Sequence, residues 1–212
     1  MLQDSFHRNV ALRIKAAVPA GLKARLRGNG LRPFSAAEWD AQYGAGRWDY
    51  LAEMTEAPRH GVITAYYSSL TGCRSALDVG CGAGVLQSWL RRIGCDRYVG
   101  IDLSKVAIEL ARQQADGTTD FAVADAGSFV PPQDFDAIIF NEMLYYLPDP
   151  VAVVQRFARY LTANGAFIVS LWECRESRAV WRRIGPGLRL LDQTKVVRRD
   201  STWHVRLCRP AG

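Results

Sequence analysis

Leu77-Asp78-Val79-Gly80-Cys81-Gly82-Ala83-Gly84 is an apolar strand that runs out into three glycines, one at every second position. The run Ser75-Ala76-Leu77-Asp78-Val79 reads as a buried strand, and Val85 to Ile93 has the apolar spacing of a helix. The glycines are therefore the turn between the two, with the backbone angles and bareness that let a turn lie against a ligand. A tight strand-to-helix turn with no ligand is the plain alternative. The dinucleotide fingerprint places two residues between its second and third glycines, whereas Ala83 alone separates Gly82 from Gly84. That spacing argues against a nicotinamide dinucleotide.

Downstream, strands that end in acids follow at regular intervals. Tyr98-Val99-Gly100-Ile101-Asp102-Leu103-Ser104 is a second apolar strand whose acid lies about 20 residues past the glycines, the distance at which a carboxylate accepts from ribose hydroxyls. Ala122-Val123-Ala124-Asp125-Ala126 ends a third strand in another acid. Asp136 to Phe140 opens a fourth, followed by Asn141-Glu142-Met143-Leu144-Tyr145-Tyr146-Leu147.

Asp78-Val79-Gly80-Cys81-Gly82-Ala83-Gly84 resembles the D/E-x-G-x-G-x-G signature of class I S-adenosylmethionine-dependent methyltransferases, and the ordered acids extend the likeness across Ala76 to Trp172. The resemblance implies S-adenosylmethionine as cofactor, S-adenosylhomocysteine as product, and no metal. It implies that Asp78, Gly80, Cys81, Gly82 and Gly84 surround the cofactor, with Asp102 and Leu103 at the ribose, Asp125 and Ala126 at the adenine, and Asn141 close by. In related enzymes a segment before the glycine motif closes over the cofactor. Tyr43 and Trp48, in the aromatic, glycine-interrupted stretch Tyr43 to Tyr50, are the candidates for that contact, with core packing as the other reading.

The remaining elements complete the sheet. Ser35 with Glu38 three residues later is a capping-box start for a short helix. Pro58 opens a helix over Arg59 to Ser69, whose first residues Arg59 and His60 face either the pocket or solvent, solvent being the favoured side. Ser104 caps Lys105 to Ala115, and Asp149-Pro150 starts Val151 to Leu161, a helix halted at Asn164-Gly165. Ala166 to Trp172 is a fifth strand, Arg175 to Ile184 a helix, and Leu188 to Val197 with Thr202 to Cys208 a closing hairpin. Strands alternating with helices, then a hairpin, mean an α/β fold: a mostly parallel, Rossmann-like sheet with helices on both faces and an antiparallel C-terminal hairpin. The resemblance implies seven strands.

With 212 residues, 49% of them hydrophobic, the chain suits one domain. Within it, 1–57 reads as a basic amphipathic helix plus a cofactor and substrate flap, and 58–212 as the catalytic core. Five cysteines without a C-x-x-C pair indicate neither a disulfide framework nor a zinc site, which places the chain in the reducing cytosol. No apolar run reaches the roughly 20 residues of a membrane span, and Asp4, Arg8, Arg13 and Lys15 interrupt the start where a signal peptide is apolar.

The formal charge of +6 is unevenly spread. Residues 1–32 hold seven Lys/Arg against Asp4, residues 33–172 ten against sixteen acids, and residues 173–212 ten against four. Phe6, Val10, Ile14 and Val18 recur every four residues among His7, Arg8, Arg13 and Lys15, a basic amphipathic helix stopped by Pro19. It suits a lid packed on the domain, peripheral contact with an anionic membrane surface at the inner face of the membrane, or RNA.

In an open parallel sheet the ligand lies outside the carboxyl ends of the strands, so the glycine turn, Asp102, Asp125 and Asn141 to Tyr146 border one crevice. A hydroxyl or ammonium acceptor must lose a proton as it is methylated. Glu142 is the first candidate base, or else an orienting acceptor; His60 and then His204 follow, with His204 better suited to a structural role. Tyr145 and Tyr146 are candidates to flank the substrate. Asn141-Glu142-Met143 is not the motif that resembling enzymes use on exocyclic base amines. The segment Asn141 to Leu147 is instead similar to the E-x-L-Y-Y-L form of small methyltransferases acting on glycans and natural products, including the nodulation-protein-S-like group. The expected reaction is direct methyl transfer to an oxygen or nitrogen of a small molecule or glycan, including a lipid-linked one. The rivals are an RNA methyltransferase and a non-catalytic S-adenosylmethionine-binding sensor or scaffold.

Overall fold

The computed structural model describes residues 33–198 and 201–212. The amphipathic stretch Phe6 to Val18 lies outside the described residues, and with it the three readings of its role.

Seven strands make one sheet: β1 (Ser75–Val79), β2 (Arg97–Asp102), β3 (Thr119–Val123), β4 (Phe135–Asn141), β5 (Leu161–Trp172), β6 (Leu188–Arg198) and β7 (Ser201–Pro210). They lie side by side as β3-β2-β1-β4-β5-β7-β6. The first five are parallel and β7 runs antiparallel to both its neighbours. This is the Rossmann-like α/β sheet with an antiparallel C-terminal hairpin that the sequence pattern predicts. Chain order reverses between β1 and β4, so the carboxyl ends of those two strands open a crevice at the switch point.

Helices cover both faces: α1 (Ala36–Gly44), α2 (Ala57–Ser69), α3 (Val85–Arg91), α4 (Lys105–Arg112), α5 (Pro150–Ala158) and α6 (Arg175–Ile184). The central strands are largely apolar because both sides are buried, and the pleat deals their side chains alternately to two cores. Ala137 and Ile139 of β4 join Ile63, Leu86, Leu90 and Ile108 from α2, α3 and α4. Ile138 and Phe140 join Val153, Phe157, Val180 and Ile184 from α5 and α6. Local signals hold the helix starts. Ser35 and Glu38 make both bonds of the capping box on α1, Ser104 accepts from the Ala107 N–H, and Asp149 accepts from the N–H groups of Val151 and Ala152.

Some boundaries differ from the sequence reading, two of them at the site or beside it. Helix α5 ends at Ala158, and Leu161 already pairs with Phe135 in β5, which is irregular in register between Phe135 and Ala137. Gly165 serves that close strand approach rather than a helix stop, since a Cβ there would sit 2.9 Å from the Phe135 carbonyl oxygen. Strand β3 ends at Val123, so Asp125 lies in the loop beyond it. All five cysteines are free. Among the described residues no helix is long and apolar enough to cross a membrane.

The second core rests on Phe157, fully buried with its ring centroid 5.8 Å from that of Phe140. Phe157→Ala should lower the unfolding free energy by about 3–5 kcal/mol, read as a fall in the urea midpoint with an unchanged slope.

Candidate active site

The glycine turn leaves β1 and doubles back against β2. Gly80 and Cys81 N–H groups both donate to the Ile101 carbonyl, at 2.8 and 2.9 Å, and the Gly82 N–H donates to Asp102 Oδ2 at 2.9 Å. Gly82 has φ +54° and Gly84 φ +77°, conformations in which a side chain is strained. A Cβ on Gly82 would also lie 2.6 Å from the Tyr43 hydroxyl, and one on Gly84 2.9 Å from the Phe121 ring. The first glycine keeps the cavity side bare, and the second seats the turn on the sheet.

Asp102 holds the turn in shape, its Oδ1 accepting from the Ser104 N–H at 2.9 Å. Burial raises its pKa above the ordinary carboxylate value, against the pull of these backbone donors. A carboxylate offers about four lone-pair positions, so two bonds leave capacity for a pair of vicinal hydroxyls. The bare backbone at Gly82 and this spare acceptor capacity fit the ribose and chain of S-adenosylmethionine.

A cavity of about 530 Å³ opens here, within the roughly 300–1,000 Å³ of small-molecule sites. Gly80, Cys81, Gly82, Asp102, Leu103, Asp125, Ala126, Asn141, Glu142, Tyr145 and Tyr146 line it, together with Tyr43, Trp48 and His60. Two expected site residues are not in the lining. Gly84 packs under Phe121, and Asp78 is buried beneath the turn, accepting from the Tyr98 hydroxyl at 2.6 Å. The Cys81 thiol is pushed well above the usual range by burial, then by the nearby carboxylates, so it stays neutral.

Residues 33–52 form the roof. Asp40 Oδ1 accepts from the Ser104 hydroxyl at 2.6 Å and from the Val106 N–H at 3.1 Å, which latches α1 onto the start of α4. Those donors, Ser104 first, hold Asp40 below the ordinary carboxylate value. The sequence reading passed over Asp40, because nothing local marks a cap supplied across 66 residues.

Arg59 and His60, placed at the solvent side in the sequence reading, are buried and line the cavity, with exposures of 2% and 3%. The reason is tertiary. Arg59 donates to Asn141 Oδ1 and, at 3.1 Å, to Glu56, which also faces Arg198 at 3.8 Å. Glu56 three residues before Arg59 is the helical spacing that signals such a pair. His60 stacks near Trp89, its ring centroid 5.9 Å away, and burial, then Arg59, lowers its pKa to about 3, so it is uncharged. His204 is half-buried and meets Glu173 at 3.1 Å; it is not in the lining.

Glu142 follows the last peptide of β4 with φ +60°, a conformation that costs a non-glycine residue about 1–3 kcal/mol. Its side chain fixes it there. Oε2 accepts from the Tyr145 hydroxyl and the Trp172 N–H, both at 2.9 Å, and Oε1 accepts from the Ser170 hydroxyl at 3.0 Å. Burial raises its pKa, while Arg59 and the three donors oppose the rise. Among the described residues no cluster of His, Cys, Asp or Glu is arranged to hold a metal ion.

Residues 77–169 match the family described as "Methyltransferase domain". A ubiquinone biosynthesis O-methyltransferase of Xanthomonas oryzae pv. oryzae is 33% identical over 137 residues, covering 59% of this chain and 56% of that protein. A trans-aconitate 2-methyltransferase of Rhizobium etli is 32% identical over 99 residues, covering 46% and 38%. The chain thus spans about half the length, or less, of these curated relatives. The fold matches the N-methyltransferase NodS from Bradyrhizobium japonicum in complex with S-adenosyl-L-homocysteine, at TM-score 0.68 and 20% identity over 91% of this chain and 97% of that one. It also matches 1,6-didemethyltoxoflavin-N1-methyltransferase from Burkholderia thailandensis, at TM-score 0.68 and 19% identity over 84% and 87%.

The buried acid below the turn has a measurable consequence. Burial lifts Asp78 from the ordinary 3.8 to about 7, against the Tyr98 hydrogen bond. The folded state therefore holds this proton more tightly than the unfolded one. The resulting stabilisation is complete below about pH 4 and is lost as pH rises through about 7. Measured by denaturation at a series of pH values, the stability of the wild type minus that of Asp78→Asn should fall across that window, by at most about 4 kcal/mol.

Proposed function

We propose, taking as premise that this chain is by fold and by its residues 77–169 a class I S-adenosylmethionine-dependent methyltransferase, that it methylates an oxygen or nitrogen of a small molecule by direct displacement. One observation carries the reading: a single cavity joins the glycine turn and Asp102, at the ends of β1 and β2, to Glu142 and Tyr145 past the end of β4. Cofactor and acceptor side by side in one enclosed space is what in-line transfer needs.

When bound, S-adenosylmethionine supplies a methyl group on a positively charged sulfur leaving group. Gly80 and Gly82 would hold it along the bare turn, Asp102 would accept from its ribose hydroxyls, and Leu103, Asp125 and Ala126 would border the adenine. Tyr43 and Trp48 close the roof and exclude water. Proximity in favourable intramolecular reactions is worth on the order of 7–11 kcal/mol, so positioning by this chain is the main catalytic device.

Glu142 acts through Tyr145. The Tyr145 hydroxyl gives its hydrogen to Glu142, so its oxygen offers a lone pair to an O–H or N–H of the acceptor. As the acceptor gains the methyl, its proton passes to Tyr145 while the tyrosine proton passes to Glu142, whose buried carboxylate is the better base for being desolvated. His60, uncharged and packed on Trp89, serves the cavity wall rather than the proton path. The site belongs to a protein of the cytoplasm or of the inner membrane face, since all five cysteines are free and the basic charge gathers at the two ends of the chain.

Calorimetric titration with S-adenosylhomocysteine, with NAD as control, tests the cofactor, and binding of NAD instead would refute it. Asp102→Ala should weaken S-adenosylhomocysteine by about 1.5–3 kcal/mol, roughly 10- to 150-fold in dissociation constant.

The relay is tested separately. Tyr145→Phe and Glu142→Gln should each leave that affinity within about twofold while lowering transfer from labelled S-adenosylmethionine by about 10²–10⁴-fold. An undiminished rate in Tyr145→Phe would remove the relay and leave Glu142 an orienting acceptor.

A further inference from the structure

The turn beyond β3 is held in place from a distant helix. Residues 125–129 follow the outermost strand of the sheet, so the chain there leaves a strand with a neighbour on one side only. The turn makes its own shape. The Asp125 carbonyl accepts from the N–H groups of Ser128 and Phe129, at 3.0 and 2.9 Å, and Asp125 Oδ1 accepts from the Gly127 N–H at 2.5 Å. Its place is set by Arg156 of α5, whose guanidinium donates to the Phe129 carbonyl at 2.6 Å and to the Ala126 carbonyl, across 27 and 30 residues of sequence.

Nothing else explains this arginine. Among the described residues no carboxylate pairs with it, its Nε is buried without a partner, and it is not in the cavity lining. A guanidinium drawn out of water costs free energy unless its donors are used. Both used arms go to the main chain of one turn, and the planar fork spans two acceptors where an ammonium would hold one point.

What the turn offers to the cavity depends on that placement. Asp125 keeps its second carboxylate oxygen, and Ala126 its N–H, without a partner among the described residues, and both residues line the cavity. One group is an acceptor and the other a donor. The amino group of adenine donates and the ring nitrogen beside it accepts, so that edge matches the pair. Hypoxanthine reverses both, setting an oxygen against the carboxylate and an N–H against an N–H.

We infer that Arg156 is the positioning residue that makes the site select an adenine base, by fixing the Asp125–Ala126 turn against the cofactor from behind. The inference rests on the methyl-transfer reading above and adds to it the residue that sets the base specificity.

The test uses the full chain and two ligands that differ only in the amino or oxo group of the base, S-adenosylhomocysteine and S-inosylhomocysteine. The first is titrated by calorimetry and the second by displacement of the first. The wild type should prefer the adenosyl ligand by at least about tenfold, the worth of one well-made hydrogen bond. Arg156→Met keeps the apolar stem and removes the donors. It should weaken the adenosyl ligand by about tenfold and leave the inosyl ligand within about twofold, so that the preference collapses. In the free protein the Ser128 and Phe129 amides of Arg156→Met should exchange hydrogen faster, while the Gly82 amide keeps its wild-type rate, which also shows that the variant is folded.

A merely structural arginine would change both affinities alike or neither. An unchanged preference in Arg156→Met, or a wild type that binds the two ligands equally, would overturn the role of Arg156 and leave methyl transfer standing. Failure of S-adenosylhomocysteine to bind the wild type would instead strike the methyl-transfer reading, and this inference with it.

Discussion

The hydrogen bond from the Gly82 N–H to the Asp102 carboxylate, 2.9 Å long, ties the end of β1 to the end of β2, and the site is arranged around it. The bond requires the turn to fold back with a left-handed residue, which glycine adopts at little cost. The roof calls for glycine there as well, since the Tyr43 hydroxyl occupies the space a side chain at position 82 would take. Through Ser104 the same constraint reaches further. Ser104 gives its N–H to Asp102 and its hydroxyl to Asp40 of α1, while its own oxygen caps α4. One serine thus couples the strand end, the helix and the cover, and the cover is as firmly specified as the sheet.

On the other side of the switch point the arrangement is more costly. Glu142 sits in a backbone conformation worth about 1–3 kcal/mol of strain, in a place where its carboxylate loses most of its water. Three donors from β5 and from the segment after β4 offset that cost, and none of them is adjacent to it in sequence. A strained, desolvated carboxylate held by so many partners is expensive as architecture alone. The proposed relay through Tyr145 gives that expense a use.

How much of this was visible in the sequence follows from how local each feature is. The glycine turn, the acid at the end of β2, the Ser35–Glu38 box and the closing hairpin are written in neighbouring residues, and each lies where it was expected. Asn164-Gly165 misled for the same reason. Glycine after a helical run usually ends the helix, but here it lets β5 pass close to β4. Arg59, His60 and Asp40 were misplaced or missed because what buries them lies far away in sequence: Asn141 for Arg59, Trp89 for His60, Ser104 and Val106 for Asp40. Trp39 and Tyr43, four residues apart on α1, carried a helical-face signal that only the cavity made meaningful.

The charges of the cavity wall are paired across distant parts of the chain. A lone buried guanidinium would cost several kcal/mol, yet Arg59 is flanked by Glu56, and Glu56 by Arg198 from the C-terminal hairpin. The Arg59 guanidinium is therefore compensated, in a wall that also carries Asp49, Asp102, Asp125 and Glu142 although the chain is basic overall. The basic excess is spent at the ends of the chain, outside the central segment that builds the cavity. The antiparallel hairpin thus has a part in the site as well as in the sheet, because without Arg198 the Glu56 carboxylate would face Arg59 alone.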